Sequence, residues 1–247
     1  MPLLEVAHVG KSFGGVRALH DVSFSLAEGE LVGVMGPNGS GKTTLFNVIT
    51  GALVPDEGRV LLDGHSIAGL SAHRVCARGI ARTFQLVRPF PGLSALDNVL
   101  VGLLYGRERG DTRTEGEAER LLTLVGLDGR GGVPAASLTL VDRKRLELAR
   151  ALATRPRVLL LDELMAGPNP TETETAMRLI RRLRGDGVTL LMVEHIVWAL
   201  MDLADRLVVL SAGEKIAEGA PGAVAADPTV IDVYLGLGAP TLDAGRG

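Results

Sequence analysis

Cysteine is almost missing from this chain: Cys76 is the only one in 247 residues. A single thiol closes no internal disulfide and builds no cysteine-based zinc site, and nothing around Cys76 suggests a nucleophile. Charge of one sign is lacking as well. Twenty-six basic residues face 29 acidic ones, for a net charge of −3. General nucleic-acid binding depends on neutralising phosphates, so a weakly acidic chain is a poor candidate for it, although a local basic patch stays open. No apolar run approaches the ~18 residues that cross a bilayer. Met1-Pro2-Leu3-Leu4-Glu5 lacks the charged-then-apolar layout of a signal peptide. These absences predict a soluble, cytoplasmic chain whose membrane role, if it has one, comes through partners. What is plentiful is apolar side chain, 46% of the total. That is enough for a sizeable core, in one large domain or a domain with a subdomain.

The most informative stretch is Gly36-Pro37-Asn38-Gly39-Ser40-Gly41-Lys42-Thr43-Thr44. It fits G-x-x-x-x-G-K-[ST], a loop that cradles phosphates. The apolar run Leu31 to Met35 before it reads as a buried strand, and Thr43 to Thr50 after it reads as a helix. Glycines let the backbone curl around a polyphosphate so that successive N–H groups point inward. A helix starting near Lys42 adds the positive end of its dipole. Lys42 is expected to reach the β- and γ-phosphates, and the Thr43 hydroxyl to ligate Mg²⁺. A chance glycine-rich turn would not carry this strand–loop–helix context.

Around the loop, Leu3 to Val9, Val22 to Leu26 and Arg59 to Leu62 read as strands. They predict a mixed or antiparallel sheet laid beside the phosphate-loop strand. From Ser94 to Thr154 the pattern turns helical. Ser94 and Asp97 fit a capping box. Leu96, Val99, Leu100 and Leu103 share one face, as do Ala118, Leu121, Leu122 and Val125. Gly106 to Thr114 reads as a loop between them. A third helix is expected from near Thr139 to before Pro156, and the three suggest an inserted subdomain. Strands are then predicted at Val158 to Leu161, Val188 to Val193 and Arg206 to Leu210, and helices at Thr171 to Arg184 and Val197 to Leu203. Arg181, Arg182 and Arg184 read as a solvated face. Asp227-Pro228 reads as an N-cap with proline at the first helical position. No internal repeat is present.

Asp162 and Glu163 follow directly on the apolar run Val158 to Leu161. Open parallel sheets hold ligands at the carboxyl ends of their strands. In a chain that already has a phosphate loop, two acids at that edge fit hydrolysis: Asp162 for the Mg²⁺ shell, Glu163 to orient and deprotonate the attacking water. His195 closes another strand. A lone histidine there is ordinarily structural, but beside three other strand ends it reads as a γ-phosphate sensor. His8, His20, His65 and His73 have no such context.

With these residues in hand, the chain resembles the ATP-binding subunit of an ATP-binding cassette (ABC) transporter over nearly its whole length. The resemblance implies an α/β fold: a P-loop NTPase (RecA-like) core, an N-terminal antiparallel β-subdomain and an inserted α-helical subdomain. Residues 1–85 and 155–236 would form the nucleotide-binding core, 86–154 the helical part and 237–247 a frayed tail. Phe13 matches the family's adenine-stacking aromatic. Gln85 matches the glutamine that links the Mg²⁺ site to the transporter contact, and Asp162, Glu163 and His195 match the metal-binding aspartate, catalytic glutamate and switch histidine. Ala166-Gly167-Pro168-Asn169-Pro170 resembles the loop that touches the opposite subunit. The implied ligands are ATP and Mg²⁺. The implied partners are permease subunits, a second ATPase subunit and, indirectly, a solute-binding protein, with no nucleic acid. Ala81-Arg82-Thr83-Phe84-Gln85, Val193-Glu194-His195, Leu203-Ala204-Asp205-Arg206 and Val230 to Gly236 are similar to branched-chain amino-acid importer ATPases. The segment after Gln85 and Leu45-Phe46-Asn47 favour the longer of that system's two ATPase subunits. Urea or amide importers and a lipopolysaccharide-exporter ATPase share parts of these motifs.

One motif departs from the family. Where its members carry L-S-G-G-Q, this chain has Leu138-Thr139-Leu140-Val141-Asp142. Val141 replaces a glycine and Asp142 replaces a glutamine, which places a negative charge near a negative ligand. Arg143, Lys144 and Arg145 either offset that charge or form a solvated helix face. The departure favours a heterodimer, leaves a homodimer open, and gives some weight to a regulatory module that binds nucleotide but barely hydrolyses it. A nucleic-acid-directed ABC ATPase is disfavoured, because there is one cassette, no Cys-x-x-Cys and no heptad run.

Overall fold

The computed structural model describes residues 1–84, 87–106, 114–165 and 170–235. Two sheets organise the chain. Strands β1 (Leu4–Phe13), β2 (Val16–Leu26), β4 (Glu57–Leu62) and β5 (His65–Ser66) form an antiparallel sheet in the order β2-β1-β4-β5. The second sheet contains β3 (Leu31–Met35), β6 (Ile80–Arg82), β7 (Val158–Asp162), β8 (Thr189–Val193), β9 (Arg206–Ser211) and β10 (Glu214–Gly219). Its order is β10-β9-β3-β8-β7-β6. The phosphate-loop strand β3 therefore pairs with β8 and β9, and the N-terminal sheet is a separate layer rather than a lateral extension of it.

Alternation along the strands explains how the layers hold together. Leu31, Met35, Leu159, Leu161, Leu190, Met192, Leu207 and Val209 point to one face and Val32, Val34, Val158, Leu160, Leu191, Val193, Val208 and Leu210 to the other. Both faces are covered, which is why these strands read as unbroken apolar runs. The second set packs on α1 (Lys42–Ile49) through Leu45, Phe46 and Ile49, and on the antiparallel sheet through Leu4, Val6 and Leu26. The first set joins the buried faces of α3 (Ala95–Tyr105), α4 (Glu115–Leu124), α5 (Leu140–Ala153), α6 (Pro170–Gly185) and α7 (Val197–Leu203).

The helical signals hold locally. Ser94 Oγ accepts the Asp97 N–H at 3.0 Å and donates to the Asp97 carboxylate at 2.5 Å. Val99, Leu103, Ala118, Leu121, Leu122 and Val125 are buried, and Leu96 and Leu100 partly so. Helix α2 (Ala72–Arg78) was not expected; Val75 is its one buried residue, so no apolar face repeats. Edge strand β10 was missed for the same reason, having no buried position. After the short helix α8 (Pro221–Ala225), helix α9 (Pro228–Leu235) begins at the expected proline, and Asp227 Oδ1 accepts the Thr229 N–H at 2.8 Å. The arginine face of α6 is exposed as expected, and on it Arg181 and Arg184 pair with Asp202 and Asp205. The segment 107–113, within the expected Gly106–Thr114 loop, and the expected tail 237–247 lie outside the described residues.

Candidate nucleotide site

Strands β3, β6, β7 and β8 run parallel, so their carboxyl ends share one sheet edge. From that edge emerge the glycine loop after Met35, Thr83 after Arg82, Glu163 after Asp162, and Glu194-His195 after Val193. The loop geometry demands its glycines at two points. A Cβ on Gly36 (φ +151°) would stand 2.1 Å from the Leu210 carbonyl oxygen, and one on Gly41 (φ +104°) would stand 2.6 Å from that of Ala18. Gly41 also N-caps α1 without a side-chain acceptor, leaving the first N–H groups of that helix available to an anion.

Asn38 to Thr44, Ala18, Glu163 and His195 line one open cavity. Within it the Lys42 ammonium folds back on its own loop, donating to the carbonyls of Gly36 at 2.8 Å and Pro37 at 2.9 Å. Burial holds Lys42 below the ordinary lysine range, opposed by the Glu163 and Asp162 carboxylates. Glu163 sits at φ +51°, the left-handed region that non-glycine residues enter at a cost of about 1–2 kcal/mol. The Glu163 N–H donates to the Val193 carbonyl at 2.9 Å, and the Glu163 carbonyl accepts Lys144 Nζ at 3.2 Å. Its Oε1 lies 2.6 Å from His195 Nε2. An ionised carboxylate only accepts, so there the imidazole donates.

Asp162 ends β7 almost buried, with Oδ2 2.6 Å from Arg82 Nη2 and its N–H donating to Thr83 Oγ1 at 3.1 Å. Behind it, Glu194 is 3% exposed. Its Oε1 accepts the Met165 N–H at 2.8 Å, while Oε2 is buried without a hydrogen-bond partner among the described residues. Burial pushes the Glu194 carboxyl up to about 7, against the Met165 and His195 N–H groups and the Lys144 charge.

Most of the candidate residues are thus gathered at one edge: Gly36 to Thr44, Asp162, Glu163 and His195. Phe13 is not among the cavity residues. It is exposed at the tip of the β1–β2 hairpin, with Lys11 Nζ 5.7 Å from its ring centroid. Gln85 and 166–169, from the expected subunit-contact loop, lie outside the described residues. Arg82, Thr83, Lys144 and Glu194 were quoted in motifs or as a charged face without an assigned contact, and each touches the site residues directly. Their signal was a polar residue at or just beyond the end of a buried strand, or, for Lys144, one turn into α5.

A magnesium ion fits the donor set. Among the described residues no cluster of three or more acids, histidines or cysteines could cage a metal. A threonine hydroxyl and one carboxylate beside a phosphate cradle suit magnesium, which keeps waters and takes ligands from its substrate.

At the divergent motif, Thr139 N-caps α5. Its Oγ1 accepts the Asp142 N–H at 3.1 Å and donates to Asp142 Oδ2 at 2.8 Å. The same carboxylate meets Arg130 at 2.6 Å and Arg145 at 3.6 Å. Arg143 donates to the Leu138 and Ala136 carbonyls. The Asp142 charge is therefore offset, and the basic trio is not simply a solvated face.

A largely parallel sheet with a glycine loop at its carboxyl edge, an antiparallel layer on one side and helices on the other defines an ABC-type P-loop cassette. The chain belongs to the ABC transporter ATP-binding family, whose profile matches residues 19–166. A second profile, described as branched-chain amino acid ATP-binding cassette transporter, matches residues 214–239. The chain is similar to the high-affinity branched-chain amino acid transport ATP-binding proteins BraF of Pseudomonas aeruginosa, at 38% identity, and LivG of Escherichia coli, at 36%. Each alignment covers 95% of this chain and 98% of the relative. Among solved structures it resembles the ADP conformation of MJ1267, an ATP-binding cassette of an ABC transporter. That match has a TM-score of 0.85 at 32% identity, covering 96% of this chain and 99% of the other. It also resembles the dimeric bacterial cassette MJ0796, with a TM-score of 0.80 at 28% identity, covering 88% and 98%.

Proposed function

We propose that this chain binds ATP with magnesium at the phosphate loop, hydrolyses it, and so energises a membrane importer of branched-chain amino acids. One observation carries the reading: the phosphate loop, Glu163 and His195 line one cavity, with Asp162 directly behind Glu163. The cargo class follows from the names of the full-length relatives and from the profile over residues 214–239.

In this reading the loop N–H groups and the start of α1 receive the phosphates, and Lys42 exchanges its carbonyl partners for β- and γ-phosphate oxygens. Thr43, Asp162 and Gln85 hold magnesium, which when bound neutralises charge on the phosphate oxygens. Glu163 orients a water and accepts its proton. The water oxygen bonds to the γ-phosphorus while the bond to the bridging oxygen breaks, and ADP leaves with that electron pair. His195, hydrogen-bonded to Glu163, faces the γ-phosphate. Phe13 stacks on adenine, a contact worth roughly 1–3 kcal/mol.

The chain works at the inner face of the membrane through its permease partners. A largely apolar groove among α2, α3 and α5, lined by Cys76, Phe84, Tyr105 and Arg150, offers a surface for them. Calorimetry with ATP and magnesium tests the first step. Lys42→Ala is expected to weaken binding at least about tenfold, since a charged hydrogen bond contributes about 1.5–3 kcal/mol. No binding heat from the unmodified chain would end this reading.

A second subunit completes the assembly. Nucleotide on this chain is capped by the partner's signature, and nucleotide on the partner by Thr139 to Val141. A heterodimer is therefore expected to turn over mainly at this chain's site. In the assembled transporter, Glu163→Gln removes most ATPase activity and the matching change in the partner removes less. Equal losses would rule out the asymmetry.

A further inference from the structure

Arg82, the last residue of β6, is unusual in being an arginine on a strand whose other residues, Ile80 and Ala81, are buried and apolar. Its side chain is 6% exposed. Two of its nitrogens are tied at matched distances: Nη2 donates to Asp162 Oδ2 at 2.6 Å and Nη1 to Asn47 Oδ1 at 2.6 Å. The guanidinium carbon also lies 5.4 Å from the centroid of the Phe46 ring and 5.2 Å from that of Phe84. Its Nε is buried with no partner among the described residues.

This is a costly arrangement for stability alone. A buried ion pair recovers little beyond its own desolvation, and an aliphatic side chain of similar volume often does as well. What the arginine supplies is geometry. A planar fork, stacked by aromatic rings and bonded at two points, has little freedom to rotate. It joins the β7 acid to α1, the helix that the phosphate loop launches, because both Asn47 and Phe46 belong to α1. By taking Oδ2 of Asp162 it also leaves Oδ1 outside the ion pair.

We propose that Arg82 is a positioning residue for magnesium: its guanidinium locks the Asp162 carboxylate to the phosphate-loop helix in the orientation that the ion needs. The inference rests on the MgATP reading above. It has a sharp electrostatic rival. A positive charge beside a cation site repels the cation, so an arginine acting only through charge would bind magnesium less well than its neutral replacement. The two accounts predict opposite signs.

The test measures ATP affinity of the whole chain by calorimetry across a magnesium series and in excess chelator, for the unmodified protein, Arg82→Gln, Arg82→Lys and Asn47→Ala. Loss of an outer-shell partner typically weakens metal binding about 10–100-fold. Arg82→Gln is expected to raise the magnesium concentration for half-maximal effect within that range, while affinity in chelator stays unchanged. Arg82→Lys keeps the charge but cannot span both partners, and is expected to recover little. Asn47→Ala removes the other anchor at a half-buried position and shifts the magnesium midpoint the same way by less. That variant carries the test if Arg82 variants fail to fold. An unchanged or lowered midpoint overturns the inference while leaving ATP binding intact. An unmodified chain that binds no nucleotide in either buffer overturns the reading beneath it as well.

Discussion

Replacing Glu163 with glutamine is expected to lower ATP turnover about 10²–10⁴-fold while leaving ATP binding in place. Glutamine keeps the size of the side chain and an oxygen that can still accept from His195 Nε2, now 2.6 Å from the carboxylate. It removes the capacity to take a proton from water. The backbone at φ +51° is no worse for glutamine than for glutamate, so folding is not the cause of the loss. Phosphate release and nucleotide binding, measured on the same preparation, separate the two effects. Turnover retained within an order of magnitude would move the base elsewhere, with His195 the nearest alternative. Loss of binding together with turnover would instead assign Glu163 to holding the nucleotide.

The second large effect concerns stability and its dependence on pH. Glu194 is buried, one of its oxygens lacks a partner, and its carboxyl is pushed up to about 7 from an ordinary value of 4.5. The sign follows from linkage. Between those two values the folded chain holds a proton that the unfolded chain has released, so unfolding releases protons and stability falls as pH rises through the window. Below it both states are protonated and there is no penalty; above about 7 the folded state carries a desolvated charge. Between pH 5 and 8 this term destabilises the fold by about 2–3 kcal/mol. Glu194→Gln still accepts the Met165 N–H and removes the titration. It leaves a buried amide in place of Oε2, a cost that does not vary with pH. Denaturant unfolding at pH 5 and pH 8 is expected to show the variant gaining on the unmodified protein by that amount at the higher pH. Parallel stability profiles would mean that Glu194 is ionised throughout.

How the Asp142 charge is met shows where reading the sequence stops. The helix that starts near Thr139 is local, and the sequence pattern reveals it. Arg130, twelve residues earlier, reaches the same carboxylate only because the chain folds back, and no local rule brings them together. The pairing of Glu163 with His195 joins the ends of β7 and β8, 32 residues apart. Helix α2 and strand β10 escaped because they bury little and so carry no apolar period; what stabilises β10 is its ladder with β9. The N-terminal strands were expected as a sheet beside the phosphate-loop strand, but that it stands as a separate layer was decided by packing across α1.

By itself the sequence determined the phosphate loop, the acids that end β7, the histidine after β8 and the apolar strands that place them, because glycine geometry, helix dipoles and strand alternation act over a few residues. The tertiary structure decided which side chains share a carboxylate: Arg82 with Asp162, His195 with Glu163, Arg130 with Asp142. Those choices depend on sheet order, which sets neighbours that are far apart in the chain, and on burial, which makes an unshared charge too costly to leave alone.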